Sequence, residues 1–128
     1  SPLIRIPVTR GAGTRVELRC PDPAANPYLV LAVCLEAGLD GIRNQITPPD
    51  AVTENVFEMQ LQQRAKLGIE SLPGDLEQAV EELEKDDYIK NVLGGHITEK
   101  YLEAKRAEWA DYRAQVTEWE IEKYLYKI

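Results

Sequence analysis

The first twenty residues alternate. Ile4, Ile6 and Val8 fall on one side of an extended chain and Leu3, Arg5 and Pro7 on the other; from Thr14 to Cys20 the alternation is cleaner, with Val16, Leu18 and Cys20 against Arg15, Glu17 and Arg19. A period of two marks a strand with one apolar and one polar face. The prolines place the first strand near a sheet edge. Between the two lies Thr9-Arg10-Gly11-Ala12-Gly13, a glycine-containing connection that predicts an antiparallel hairpin. Symmetric pairing about that connection sets Arg5 opposite Glu17. The polar face then carries Arg5, Arg15, Glu17 and Arg19 within a span of about 14 Å, at ~3.4 Å per residue.

Beyond Cys20 the period changes to that of helices. Pro21-Asp22-Pro23-Ala24-Ala25-Asn26-Pro27 offers two candidate N-caps, Asp22 and Asn26, each followed by a proline suited to a first helical position. The helix predicted from there to about Asn44 is apolar nearly all round (Tyr28, Leu29, Val30, Leu31, Val33, Leu35, Leu39, Ile42), the pattern of a buried helix. Gln45 to Ser71 is irregular, broken by Thr47-Pro48-Pro49-Asp50, with one helix predicted near Thr53 to Lys66. Asp75-Leu76-Glu77-Gln78 has the form of a capping box opening a helix to about Lys85. Asp86 starts a shorter helix that stops at Gly94-Gly95, a long helix is expected from about Thr98 to Val116, and Thr117-Glu118-Trp119-Glu120 is a second capping box for a last helix to about Leu125. The fold class is therefore α+β: a two-stranded hairpin over residues 1–20, then a mostly helical region over 21–128.

Composition narrows the function classes. With 44% hydrophobic and 29% charged residues the 128-residue chain is ordinary globular material of one-domain size. Its longest apolar run, Tyr28 to Leu35, is far below the roughly 20 residues of a membrane span, so no membrane partner is expected. Ser1-Pro2-Leu3-Ile4-Arg5 lacks the apolar core of a signal peptide and reads as a chain entered in mid-sequence, a fragment. The net charge of −7 argues against a nucleic-acid partner. Its distribution is uneven: residues 1–22 hold four arginines against Glu17 and Asp22, a local charge of +2, so the remainder carries −9. A basic tip on an acidic body suits a small anionic ligand. Cys20 and Cys34 have neither CxxC spacing nor a neighbouring histidine and are expected to be buried, reduced thiols of a cytoplasmic protein. His96, the only histidine, adds too little to make a zinc site and is expected to be structural.

Arg15-Val16-Glu17-Leu18-Arg19 is where the pattern points to chemistry. Two guanidiniums on one strand face repel, and the glutamate between them offsets part of that. One reading is a ladder of cross-strand ion pairs on a solvated sheet face, which contributes little to stability. The other is a phosphate and carboxylate site. Arginine binds such groups through its planar fork and keeps its charge. A glutamate in that field stays ionised, as ligation of a magnesium ion at ATP phosphates requires.

The run from Arg5-Ile6-Pro7 through Arg15-Val16-Glu17-Leu18-Arg19 to Pro21-Asp22-Pro23-Ala24-Ala25-Asn26-Pro27-Tyr28-Leu29 and Ala37-Gly38-Leu39-Asp40-Gly41-Ile42 resembles the C-terminal signature of type I glutamine synthetases, in order and spacing. The likeness continues through Leu72-Pro73, Glu108-Trp109 and Trp119-Glu120. It implies the C-terminal segment of the catalytic domain of a ligase that joins ammonia to L-glutamate through γ-glutamyl phosphate, at the expense of ATP and with Mg2+ or Mn2+. It further implies a cytoplasmic dodecamer of two hexameric rings. By the same resemblance Arg5 and Arg15 bind ATP, Glu17 ligates a divalent metal, and Arg19 contacts glutamate and the phosphoryl group in transfer. Other metal-binding glutamates, the metal-binding histidine and the ammonium-site aspartate belong to segments outside this chain, so the piece alone is expected to be inactive.

Phe57, within Asn55-Val56-Phe57-Glu58-Met59, stands where some bacterial members carry the tyrosine that is adenylylated, which together with the ending around Trp109 and Trp119 resembles the feedback-inhibited subgroup, in which the region of Glu108 lies near the active site. The aromatic residues Tyr88, Tyr101, Trp109, Tyr112, Trp119, Tyr124 and Tyr126 are expected mostly to pack helices together. Two alternatives stay open: a related γ-glutamyl-amine (polyamine) ligase, and a non-catalytic helical interaction module, which would leave the three arginines scattered in solvent pairs.

Overall fold

The computed structural model describes residues 3–125 and 127, and the chain divides into two compact units, Ser1–Ser71 and Leu72–Ile128. Tyr126, one of the aromatic residues considered above, lies outside the described residues.

In the first unit β1 (Ile4–Arg5) and β2 (Glu17–Leu18) pair antiparallel, with Ile4 opposite Leu18 and Arg5 opposite Glu17. That is the register the symmetric hairpin predicts. One more ladder bond continues it, the Arg19 N–H donating to the Leu3 carbonyl at 2.9 Å. The strands are much shorter than the alternation suggests, and the connection occupies residues 6–16. Pro7 has no N–H to give a ladder, and Gly11–Gly13 coils into a 3₁₀ turn closed by Thr14 N–H on the Gly11 carbonyl at 3.1 Å. Those residues leave the extended path before the pairing can lengthen. The apolar side of the ribbon is uncovered: Ile4, Ile6, Val8, Val16 and Leu18 are all exposed.

α1 (Pro27–Arg43) follows. Of the two candidate caps Asn26 is the one used, its Oδ1 accepting from Tyr28 N–H at 3.0 Å and Leu29 N–H at 3.4 Å, with Pro27 in the first turn where no N–H is needed. Asp22 instead closes a turn upstream, accepting from Ala24 N–H at 2.6 Å. The expectation that α1 is buried is wrong for this structure. No residue of it is buried, and Tyr28 is 82% exposed, with Leu31, Leu35 and Ile42 also open. A helix apolar all round needs cover all round, and this unit supplies only a two-residue ribbon and a short helix besides. That helix, α2 (Leu61–Lys66), is half the length expected. Residues 55–58 form a turn instead, in which the Asn55 side chain accepts from Phe57 N–H at 3.2 Å and so competes with the helical pattern. Met59 and Pro7 are buried in this unit. Cys20 is exposed and Cys34 half-buried; both are free thiols. The predicted burial of Cys20 fails because it lies past the paired strand on the uncovered side.

The second unit is helical: α3 (Leu76–Lys85), α4 (Asp87–Leu93) and α5 (Gly95–Arg113) pack pairwise. Asp75 caps α3 by accepting from Gln78 N–H at 2.8 Å, while the Gln78 amide oxygen returns to Gly74 N–H at 3.1 Å, one residue earlier than a standard capping box. Asp86 caps α4 through Ile89 N–H at 3.0 Å. The chain then turns at Gly94, whose φ of 79° is a left-handed value that favours glycine. α5 therefore starts at Gly95, a turn before the expected Thr98. Thr98 lies inside the helix, buried, with its hydroxyl donating back to the Lys90 carbonyl at 3.2 Å and so pinning α5 to α4. With Val80 it forms the buried centre of this unit.

A shallow groove of about 360 Å³ runs between α3 and α5, lined by Glu77, Val80, Glu81, Glu84, Arg106 and Trp109, with Glu84 and Arg106 already paired to each other. The last capping box forms as expected, Thr117 and Glu120 bonding reciprocally, but the helix it opens, α6 (Glu118–Glu120), passes at once into a π-helical turn, Ile121–Leu125. Trp109 stacks on Tyr112 at 5.8 Å and Trp119 meets Tyr124 edge-on at 5.7 Å. Tyr101, Tyr112, Trp119 and Tyr124 are nonetheless exposed, so the expectation that most of these rings pack helices together holds for Trp109 and fails for them. Their ring contacts are local, between residues three to five apart. Among the described residues no helix is long and apolar enough to cross a membrane.

Candidate functional site

The four residues singled out by the alternation lie on and beside the β-ribbon. Opposed register puts Arg5 across from Glu17, and its Nη1 donates to Glu17 Oε2 at 3.0 Å. Two residues before Glu17 on the same face, Arg15 donates from Nε to Glu17 Oε1 at 2.9 Å, with Nη2 at 2.7 Å from the same oxygen. One carboxylate is thus clasped by two guanidiniums, one from each strand. Two residues beyond Glu17, Arg19 continues the ladder through its backbone N–H, which donates to the Leu3 carbonyl, in the alternation that the sequence assigns to the Glu17 side. Arg5 and Arg15 share one carboxylate and do not stand in separate pairs.

The electrostatics follow from that clasp. The Glu17 carboxyl titrates below its usual value, first because Arg5 donates a hydrogen bond to it and next because Arg15 does. It is ionised at neutral pH, held between two guanidiniums. The side chains are half open to water, Arg5 49%, Arg15 52% and Glu17 26% exposed, so their ion pairs do little for stability. What they fix is direction.

Glu17 can serve as one metal ligand and no more than one. Each of its oxygens accepts from one guanidinium and keeps a further lone pair, and carboxylate oxygen suits Mg2+ or Mn2+. Among the described residues no group of three or more His, Cys, Asp or Glu is placed to hold a cation. One carboxylate is compatible with a divalent ion and does not by itself hold one. His96 is exposed on the first turn of α5.

Arg10 is the residue that sequence reasoning passed over. Counted there only for its charge, it folds back over its own loop and donates from Nη1 to the Pro7 carbonyl at 2.6 Å and to the Thr9 carbonyl at 3.2 Å. Arg15 is held from the same loop, through Nη1 on the Gly13 carbonyl at 3.2 Å. The available signal was an arginine inside a connection otherwise made of small residues.

An arginine-framed carboxylate on an open two-stranded ribbon is a geometry that can meet anionic groups through its guanidiniums. A sequence profile described as "Glutamine synthetase, catalytic domain" matches residues 1–124. The chain is 54% identical over 125 residues to the glutamine synthetase of Clostridium saccharobutylicum and 51% identical over 125 residues to that of Methanocaldococcus jannaschii, covering 98% of this chain in each case. A solved structure described as apo GmaS without ligand superposes with a TM-score of 0.72 at 42% identity, covering 86% of this chain and 25% of that one. The chain belongs to the glutamine synthetase catalytic-domain family. It spans about 28% of the length of the two curated relatives.

Proposed function

We infer that this chain is the arginine-bearing segment of a glutamine synthetase, which joins ammonia to L-glutamate with consumption of ATP. The observation that carries the reading is the convergence of Arg5 and Arg15 on Glu17, at 3.0 and 2.7 Å, with Arg19 next along the paired chain. Arg5 and Arg15 would hold the ATP phosphates. Each can release part of its grip on Glu17 to a phosphate, since guanidinium has five donors and uses few of them here. Glu17 would hold Mg2+ or Mn2+, and such a cation, when bound, would neutralise phosphate charge.

Arg19 would contact both glutamate and the phosphoryl group as the γ-carboxylate of glutamate attacks the terminal phosphorus of ATP. ADP leaves, γ-glutamyl phosphate forms, and ammonia then displaces phosphate to give glutamine. Charge spreads over the phosphoryl oxygens in the first step, so a fixed cation such as Arg19 lowers its barrier electrostatically. The remaining ligands and the ammonium site lie beyond this chain, so the segment alone does not turn over. The intact protein would be cytoplasmic and assemble as a dodecamer of two six-membered rings. Phe57, 78% exposed and without a hydroxyl, supports membership of the subgroup that is feedback-inhibited and not adenylylated, in which the Glu108 region lies near the active site.

The test is an assay of ATP-dependent glutamine formation by the intact protein, with polyamines offered in place of ammonia. Glutamine formation is expected, with Arg19→Ala and Glu17→Ala each lowering kcat/KM by at least ~100-fold, as when one electrostatic stabiliser is lost. Near-normal turnover of either variant overturns its assignment, and preference for an amine overturns the choice of acceptor. Transfer of AMP to the protein would overturn the subgroup.

A further inference from the structure

We propose that Arg10 is a positioning residue that sets the metal-binding carboxylate from outside the site, through a relay of contacts across the loop between the two strands. The inference rests on the reading of Glu17 as a metal ligand given above. Arg10 lies in neither strand. Its guanidinium closes residues 7–10 into a small ring by donating to the carbonyls of Pro7 at 2.6 Å and Thr9 at 3.2 Å. Pro7 is buried, so one end of that ring is shielded from water.

Thr9 transmits the constraint. Its Cγ2 sits so close to Gly13 that a β-carbon added there would lie 2.5 Å from it, a distance at which something must move. Gly13 is therefore seated against Thr9, and its carbonyl faces the Arg15 guanidinium, accepting from Nη1 at 3.2 Å. Arg15 in turn donates from Nε to Glu17 Oε1 at 2.9 Å, with Nη2 2.7 Å from the same oxygen. A relay from Arg10 through Thr9, Gly13 and Arg15 to the carboxylate is thus continuous in hydrogen bonds and van der Waals contact. Without Arg10 the loop has one closing backbone bond, Thr14 N–H to Gly11 carbonyl, which lies beyond Thr9 and does not fix it. Groups that orient a metal ligand without touching the metal commonly change affinity or activity by about 10- to 100-fold when removed.

The experiment measures steady-state kinetics of the intact synthetase against Mg2+ and ATP, at a temperature well below unfolding, for Arg10→Ala, Arg10→Lys, Gly13→Ala and Glu17→Ala. Arg10→Ala and Gly13→Ala are expected to raise the Mg2+ concentration for half-maximal rate by about 10-fold, with a smaller change in KM for glutamate. Arg10→Lys, whose ammonium can still donate to both carbonyls, is expected to recover most of that loss. A merely structural arginine would lower Tm without moving the metal dependence. Wild-type Mg2+ dependence in Arg10→Ala while Glu17→Ala is inactive overturns the relay and leaves the role of Glu17 intact. Full activity of Glu17→Ala overturns both.

Discussion

At the scale of single residues, Glu17 concentrates the argument. A carboxylate that accepts from two guanidiniums binds its proton more weakly in the folded chain than in the unfolded one, which is why its pKa lies below the usual value. By linkage its contribution to stability is fully present above the unfolded pKa and is lost as the pH falls through the folded one. Arg5 is the first cause and Arg15 the second, so carboxyl-carbon NMR titration should find the Glu17 midpoint raised toward the ordinary value in Arg5→Ala, and raised by less in Arg15→Ala. An unmoved midpoint in both variants would show that the guanidiniums do not hold the acid. The same sign applies to Asp87, lowered by the hydrogen bond from Lys90, and to Glu120, lowered by the backbone and hydroxyl of Thr117. All three acids favour the folded chain at neutral pH and stop doing so in acid.

Among the elements, local chemistry was legible and distant cover was not. Asn26 and Asp22 were equal candidates to start α1, and the structure gives the cap to Asn26. Asn26→Ala should therefore cost about 1 kcal/mol in thermal or denaturant unfolding, the typical loss of a helix N-cap. Asp22→Ala should leave the helix start unchanged, and an equal loss from both would contradict the assignment. Caps at Asp75, Asp86 and Thr117 could be read from sequence because each bonds within a few residues of itself. So could the pairing of Arg5 with Glu17, which follows from symmetry about a short loop.

What escaped depends on geometry that no period encodes. Thr98 reads as a helix start because threonine caps helices, yet here its hydroxyl bonds back to Lys90 from inside α5. Arg10 looks like one more charge because a loop has no repeat to mark where a side chain folds. The expected burial of α1 failed for a different reason: an all-apolar helix states what it needs around it, and says nothing about which part of a protein provides it.

For the molecule as a whole, the two units differ in what holds them. In Leu72–Ile128 three helices pack on one another around Val80 and Thr98, with Trp109 lining the groove between α3 and α5. In Ser1–Ser71 the longest helix has no buried residue, and the apolar side of the ribbon that carries the site is open. Hydrogen bonds of an exposed helix open locally at little free-energy cost, whereas those between packed helices open only when the packing does. Amide exchange of this chain by itself should therefore find slow protons in α3 and α5 and fast ones in α1, although α1 is nearly as long as α5. In the intact protein, of which relatives have more than three times this length, α1 should become slow, because the exposure of Tyr28, Leu31, Leu35 and Ile42 calls for a covering surface. Equal protection of α1 and α5 in the isolated chain would contradict this. If the prediction holds, the clasp around Glu17 is carried by the less stable unit. The face that presents Arg5 and Arg15 would then depend on the rest of the catalytic domain for its rigidity.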